Sequence, residues 1–259
     1  MTNTFKHSGT FGDIVYSMPL VKHFGGGEYY LHLNQIDYLT QHFYGGMPSP
    51  FHQGRMNMND FNYMKSFMEA QDYISKFKVL DPQQEITHNL DRFRQMFVGH
   101  PGNYVDIYSH SMGLRDTALI DSIRTSPWLT VPQPRIIENK PVVINRTDRW
   151  LPNKLSPQWA AWKNEGMERD AIFVGLPQEY ETFKRTMGWD IPYQSCPTML
   201  DLAEIIAGAG LFIGNQSVAL SIAIGLGVEV ACEQRTDLPL ERNECYFHNA
   251  SRVNYFSQV

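Results

Sequence analysis

The stretch from Pro141 to Cys232 constrains the fold of this chain most. In it, short apolar runs rich in branched residues alternate with segments of helical spacing, joined by loops of a few residues. Pro141-Val142-Val143-Ile144-Asn145 reads as a buried strand. Ser156-Pro157 then supplies an N-cap serine and a first-turn proline for a helix ending near Gly166. Ala171-Ile172-Phe173-Val174-Gly175 reads as a second strand, and Glu179 to Met187 as a helix closed by Gly188. Thr198-Met199-Leu200-Asp201 has capping-box spacing ahead of Leu202, Ile205 and Ile206. Leu211-Phe212-Ile213-Gly214 is a third strand, Ser217 to Ile224 a helix, and Val228-Glu229-Val230-Ala231-Cys232 the last clear strand. Such alternation with short loops is what a doubly wound parallel sheet requires.

The amino-terminal end opens in the same way. Thr4-Phe5-Lys6-His7 leads into the loop Ser8-Gly9-Thr10-Phe11-Gly12-Asp13, after which Ile14, Val15, Met18, Leu20, Val21 and Phe24 recur with helical spacing. Gly25-Gly26-Gly27 stops that helix, and Glu28-Tyr29-Tyr30-Leu31-His32-Leu33 reads as the next strand. From about 40 to 135 the pattern weakens. Gly45 to Pro50 reads as a loop, Asp60 to Phe77 as a helix whose Met residues fill core, Asn89 to Phe97 as another helix, and Val105 to Tyr108 as a strand or a helix start.

Pro127, Pro132, Pro134 and Pro141 mark an extended connector. With 259 residues the chain has room for two domains, and the boundary is placed near 139. The expectation is an α/β protein of two Rossmann-like, doubly wound halves facing a central cleft: residues 1–139 on the acceptor side and residues 140–259 binding a nucleotide sugar.

A hydrophobic share of 42% against 19% charged residues places the chain among folded globular proteins. The formal charge is -5 and is spread evenly. Residues 1–139 carry 11 Lys/Arg against 13 Asp/Glu, and residues 140–259 carry 11 against 14, so neither half attracts polyanions and composition gives no support to nucleic-acid binding. Three cysteines without a CxxC pair read as thiols in a reducing compartment. The amino terminus has no apolar signal-like core, and no run approaches the ~18 apolar residues of a membrane span. A cytoplasmic protein is expected.

In open parallel sheets ligands bind beyond the carboxyl ends of the strands, and four such places carry suggestive chemistry. At Gly9 to Asp13, glycines admit close backbone approach and the helix start offers free N–H groups, which makes Thr10 and Gly12 candidate ligand contacts. Asp13 is a candidate base or a helix N-cap. At Gly214-Asn215-Gln216-Ser217, a strand runs into a helix whose positive end suits phosphate. Arg146 and Arg149 follow the strand at 141–145, where a guanidinium could neutralise a diphosphate or simply be solvated. Gly175 with Glu179, and Glu233 after the last strand, place carboxylates where a ribose could be held. Nine histidines show no HExxH spacing, and GxSxG and GxxxxGK[ST] are absent, so neither zinc nor serine-hydrolase chemistry is expected.

Gly12-Asp13, Pro19 inside the first helix, Gly175 with Glu179, and Gly214-Asn215-Gln216-Ser217 before an Ala/Gly-rich helix together resemble the ADP-heptose lipopolysaccharide heptosyltransferases, glycosyltransferases of family 9 type with the GT-B fold. The likeness is best over about 5–25 and 140–235. It implies that Asp13 takes the acceptor hydroxyl proton, that Arg146 or Arg149 holds the donor diphosphate, and that Gly214 to Ser217 close over it. Family members mostly carry Asp-Ser/Thr-Gly where this chain has Asn215-Gln216-Ser217, which removes a carboxylate. The implied reaction is inverting displacement from a nucleotide sugar to an acceptor hydroxyl, with no required metal or bound cofactor. Competing readings are a nucleotide-sugar 2-epimerase, a phage-type transferase acting on a modified DNA base, and a non-catalytic nucleotide-sugar binder.

Overall fold

In β1 (Thr4–His7) burial alternates, Phe5 and His7 turning inward and Thr4 and Lys6 lying half-exposed, the period-2 signature of a strand. The computed structural model describes residues 2–34, 56–95, 103–148, 155–234 and 253–257. The chain divides into two compact units, Met1–Trp128 and Leu129–Val259.

In the first unit β1 is followed by α1 (Phe11–His23), β2 (Gly27–Leu31), α2 (Met58–Glu69), β3 (Ile74–Val79), β4 (His88–Asn89), a 3₁₀ segment (Leu90–Gln95), α3 (Tyr104–Ser111) and α4 (Thr117–Thr125). Its four strands are all parallel, in the order β3-β2-β1-β4. Nine successive residues of α1, Asp13 to Val21, are buried, so the helix lies inside the unit. Tyr104 of α3 stacks on Tyr16 of α1, with ring centroids 4.9 Å apart and planes 2° apart. The chain leaves α1 through Gly25 to Gly27, all at positive φ. A Cβ on Gly26 would stand 2.2 Å from the Tyr73 carbonyl oxygen.

The weakly patterned middle differs from the sequence expectation. The helix read over Asp60–Phe77 is α2 over Met58–Glu69, and Ile74 onward is the edge strand β3. Ile74 and Phe77 of β3 face inward while Lys76 and Lys78 point out, a charged rim that suits an edge. Met64 and Met68 are fully buried core, as read, whereas Met58 is exposed. The helix read from Asn89 begins instead as the two-residue strand β4, paired to β1 through Phe5–His88 and Lys6–Asn89, and continues as a 3₁₀ segment to Gln95. Residues 96–97 and the Gly45–Pro50 loop lie outside the described residues. Val105 to Tyr108 belong to a helix, capped by an Asn103/Asp106 box.

The second unit follows the sequence reading closely. β5 (Val142–Asn145), α5 (Pro157–Asn164), a 3₁₀ turn (Met167–Asp170), β6 (Ala171–Val174), α6 (Pro177–Met187), β7 (Tyr193–Gln194), α7 (Met199–Ala207), β8 (Leu211–Gly214), α8 (Val218–Leu226) and β9 (Val230–Glu233) succeed one another. The Ser156 cap, the Gly188 left-handed stop and the Thr198/Asp201 box all form. Two strands lie outside the sequence reading: β7, paired in parallel with β6, and β10 (Val253–Phe256), paired in parallel with β9. The prolines between 129 and 141 run along the second unit. Leu129 N–H bonds Gly225 O, Arg135 N–H bonds Glu204 O, and the Arg135 guanidinium reaches Asp201 and Glu204, each at 3.0 Å.

The sheet order is β10-β9-β8-β5-β6-β7, all parallel. Counted within each unit, the order is 3-2-1-4-5-6 in the second and 3-2-1-4 in the first, the doubly wound arrangement. The direction of winding therefore reverses between β1 and β4, and again between β5 and β8. These switch points are where ligands bind in such sheets.

Gly214 is fixed by this packing, because a Cβ there would lie 2.3 Å from the Asn145 carbonyl oxygen, a backbone atom that cannot turn away. Gly214→Ala is expected to lower stability by about 1–3 kcal/mol in urea unfolding. Gly12→Ala, which meets nothing within 4 Å, is expected to gain up to about 1 kcal/mol in the same measurement.

Candidate functional site

At the switch point of the first unit, His7 ends β1 and is completely buried. Its Nδ1 accepts from Gly9 N–H at 2.7 Å, and its Nε2 lies 2.6 Å from the Tyr108 hydroxyl. The Tyr108 hydroxyl donates in turn to the backbone carbonyl of Asp13 at 2.9 Å. These partners assign the neutral Nε2–H tautomer. Burial pushes the His7 pKa down to about 4, with Asp91 and Asp13 pulling it up and Arg94 and Lys6 adding to the fall. Gly9 is obligatory, since a Cβ there would lie 2.4 Å from the His7 ring and 2.7 Å from Asp13 Oδ2.

The 3₁₀ segment after β4 contributes three side chains to the same place. Asp91 Oδ1 accepts from the Ser8 N–H and hydroxyl, both at 2.8 Å, and Lys6 stands 3.0 Å from Oδ2. Burial works to raise the Asp91 pKa, but His7, Lys6, Arg94 and the Ser8 N–H outweigh it and hold the carboxyl below its ordinary range. Phe93 stacks on Tyr108 at 4.4 Å. Arg94 Nη2 lies 3.5 Å from Asp13 Oδ2.

Asp13 is at position N3 of α1, with Thr10 as the N-cap, so it is not itself the cap that the sequence left open. Thr10 N–H donates to its Oδ2 at 2.9 Å and the Thr10 hydroxyl donates to the same atom at 3.1 Å. Among the described residues the contacts of the carboxylate, Arg94 included, fall on Oδ2. Among the described residues Oδ1 has no partner. Gly12 sits one residue earlier with open space beside its Cα.

In the second unit, Asn145 ends β5 and Arg146 and Thr147 follow it, and Asn215, Gln216 and Ser217 follow β8. The Asn215 amide clasps the neighbouring loop, its Oδ1 accepting from Thr147 N–H at 2.8 Å and its Nδ2 donating to Thr147 O at 2.9 Å. A carboxylate could make only the first bond and would face the carbonyl with a negative oxygen, so asparagine fits this place. Ser217 caps α8 through Leu220 N–H at 3.2 Å. Asn145 Nδ2 donates to Val174 O at 2.8 Å. Three buried oxygens here, Asn145 Oδ1, Thr147 Oγ1 and Gln216 Oε1, have no partner among the described residues.

Arg146 and Glu233, read separately from the sequence as ligand contacts, are set against each other. Arg146 Nε donates to Glu233 Oε2 at 2.6 Å and Nη2 to Oε1 at 3.3 Å, with side chains 2% and 0% exposed. Trp159 Nε1–H donates to Oε1 at 2.9 Å. The carboxylate is thereby occupied on both oxygens. Glu179, at N3 of α6, accepts from Leu176 N–H at 3.1 Å, and burial together with the Asp148 charge raises its pKa. Gly175 at φ +135° lies under the Asn145 amide, where a Cβ would meet Nδ2 at 2.6 Å. Arg149 lies outside the described residues. So does Cys245, while Cys196 and Cys232 are free thiols whose pKa burial pushes up to about 12.

The structure thus gathers Thr10, Gly12 and Asp13 at one switch point, and Arg146, Gly214, Asn215, Gln216, Ser217 and Glu233 at or beside the other. Sequence reasoning missed His7, Asp91, Arg94 and Tyr108. His7 carried a signal, since alternation in β1 turns it inward with Phe5. The other three carried none, because β4 is two residues long and Tyr108 reads as an ordinary helix aromatic. Among the described residues no group of three or more His, Cys, Asp or Glu gathers to hold a metal, and no helix is long and apolar enough to cross a membrane.

Glu233→Gln leaves the Arg146 cation buried without its counter-ion and is expected to cost about 3–5 kcal/mol in urea unfolding. Joint replacement by Arg146→Met and Glu233→Leu is expected to restore part of that loss, read as a double-mutant cycle. His7 has a folded pKa of about 4 against about 6.5 in an unfolded chain, so the unfolded state takes up its proton first. Its contribution is complete above pH 6.5 and is lost as pH falls toward 4, up to about 3 kcal/mol. Unfolding midpoints at several pH values between 4 and 7 check this, and His7→Gln is expected to flatten the slope.

No family model matches the chain, and no curated protein does. Solved structures are similar to it in fold. The glycosyltransferase family 9 protein from Veillonella parvula DSM 2008 superposes with a TM-score of 0.62 at 10% identity, over 98% of this chain and 85% of that one. TibC, the iron-containing dodecameric glycosyltransferase of enterotoxigenic E. coli H10407, gives 0.54 at 12% identity over 97% of this chain and 61% of its own. TibC in complex with ADP-D-beta-D-heptose, described there as a heptosyltransferase, gives 0.52 at 14% identity, over 96% and 63%. Identities this low speak of fold, and this chain has the fold of a glycosyltransferase family 9 structure, α/β with two parallel sheets.

Proposed function

We propose that this chain is an enzyme that transfers a sugar from a nucleotide-sugar donor to an acceptor hydroxyl. The observation that carries the reading is the asymmetry of Asp13. One carboxylate oxygen is anchored by Thr10 and Arg94, and the other has no partner among the described residues. A base needs this combination of a fixed group and an available lone pair. The open space beside Gly12 leaves room for a ligand at the start of α1.

In the second unit the N-terminus of α8 offers first-turn backbone N–H groups and the positive end of a helix dipole at the switch point, which favours the diphosphate. The unpartnered oxygens of Thr147 and Gln216 stand in the loops beside it. Arg146 is neutralised by Glu233 and serves as a support for these loops. Of the two arginines considered, this leaves Arg149 for the diphosphate.

In the reaction Asp13 Oδ1 takes the acceptor hydroxyl proton as the acceptor oxygen bonds to the anomeric carbon. The bond from that carbon to the diphosphate oxygen breaks, and the nucleoside diphosphate leaves with the electron pair. Attack opposite the leaving group inverts the anomeric centre. Charge developing on the departing oxygen is met by the N–H groups of α8, and the scheme assigns no step to a metal or bound cofactor.

Thermal shift against UDP-, GDP-, ADP-, CMP- and dTDP-sugars tests the reading, with ADP-heptose first because TibC was seen with it. A donor at 100 times its dissociation constant should stabilise the fold by about 2.7 kcal/mol. Asp13→Asn is expected to keep that shift and lower turnover about 10²–10⁴-fold. Unchanged turnover in Asp13→Asn would leave the residue only its place as the N3 partner of the Thr10 cap, and no shift with any donor would end the glycosyltransferase reading.

A further inference from the structure

We propose that Tyr108 and His7 are positioning residues for the Asp13 base, an inference that rests on the role given to Asp13 above. Asp13 O is already engaged in α1 by the N–H four residues on, the ordinary helical bond. The Tyr108 hydroxyl therefore satisfies no orphan there and adds a second bond to the same carbonyl, at 2.9 Å. Phenylalanine would stack on Phe93 equally well without the burden of burying a hydroxyl, so packing does not explain the oxygen. The hydroxyl is held in turn by His7 Nε2–H at 2.6 Å, and the ring is oriented by Gly9 N–H at 2.7 Å.

The chain of bonds runs from the glycine loop through His7 and Tyr108 to the backbone of Asp13. Thr10 fixes the Asp13 carboxylate from the other side. Asp13 is thus held at its main chain and at its side chain by different elements, and the direction of Oδ1 follows from both. Reaction rates are steep in such placement, a misplacement of about 1 Å costing as much as about 10²-fold. Only the neutral Nε2–H tautomer of His7 can complete the chain.

The test uses the full chain, with the nucleotide sugar that gives the largest thermal shift as donor and water as acceptor, released nucleoside diphosphate being measured. Tyr108→Phe is expected to lower kcat about 10–100-fold while leaving KM for the donor and the donor-induced thermal shift unchanged. His7→Gln, which keeps a donor where Nε2–H stands, is expected to retain more kcat than His7→Leu. The inference is overturned if Tyr108→Phe turns over donor as the wild type does, if His7→Gln is no better than His7→Leu, or if nitrogen NMR finds His7 protonated on Nδ1. A wild-type protein that neither binds nor turns over any nucleotide sugar marks the failure of the underlying reading, and the inference falls with it.

Discussion

Parallel strand order is the constraint on which the rest depends. When every strand of a sheet points the same way, all the loops that follow strands emerge on one edge, and all the helices that follow those loops begin there. Side chains separated by many residues then meet. Asp91 reaches Ser8, and Tyr108 reaches His7 and Asp13, because β4 lies beside β1. Asn215 reaches Thr147 because β8 lies beside β5. The reversal of winding at each of these pairs parts the helices to either face, and both groups of polar residues stand at that reversal.

Both groups also solve the problem of keeping charge inside a protein. In the first unit Lys6 and Arg94 offset Asp91 and Asp13, and His7 stays neutral. In the second unit Arg146 and Glu233 cancel each other, with the Trp159 indole N–H taking up part of the carboxylate. A buried pair of this kind is weak evidence of net stability, because desolvation offsets attraction. What it does supply is a fixed position. Arg146 and Glu233 tie the loop after β5 to the end of β9, while Asn215 ties it to the loop after β8. The polar residues left over, Thr147 and Gln216, are held by that frame.

The second unit was legible because its elements carry their own punctuation. Ser156-Pro157, Gly188, and Thr198 with Asp201 are local signals, decided within four residues, and each formed as read. The middle of the first unit was misread for the opposite reason. Ile74 to Val79 has the apolar content of a helix end, and its strand pairing to β2 is made with residues more than forty positions away. β4 is too short for any periodicity, and β10 depends on pairing with β9 rather than on a pattern of its own.

By itself the sequence determined the class of fold, the loops that end the strands, and the candidates Thr10, Gly12, Asp13 and Gly214 to Ser217, because strand, cap and glycine signals act over a few residues. Only the tertiary structure decided which of those polar groups remain available. It joined Arg146 to Glu233, turned Asn215 onto a backbone, anchored Asp13 by one oxygen, and brought His7, Asp91, Arg94 and Tyr108 around it. The physical reason is that a hydrogen bond or ion pair is fixed by distance in space, and strand order, which sets that distance, is written across the whole sheet.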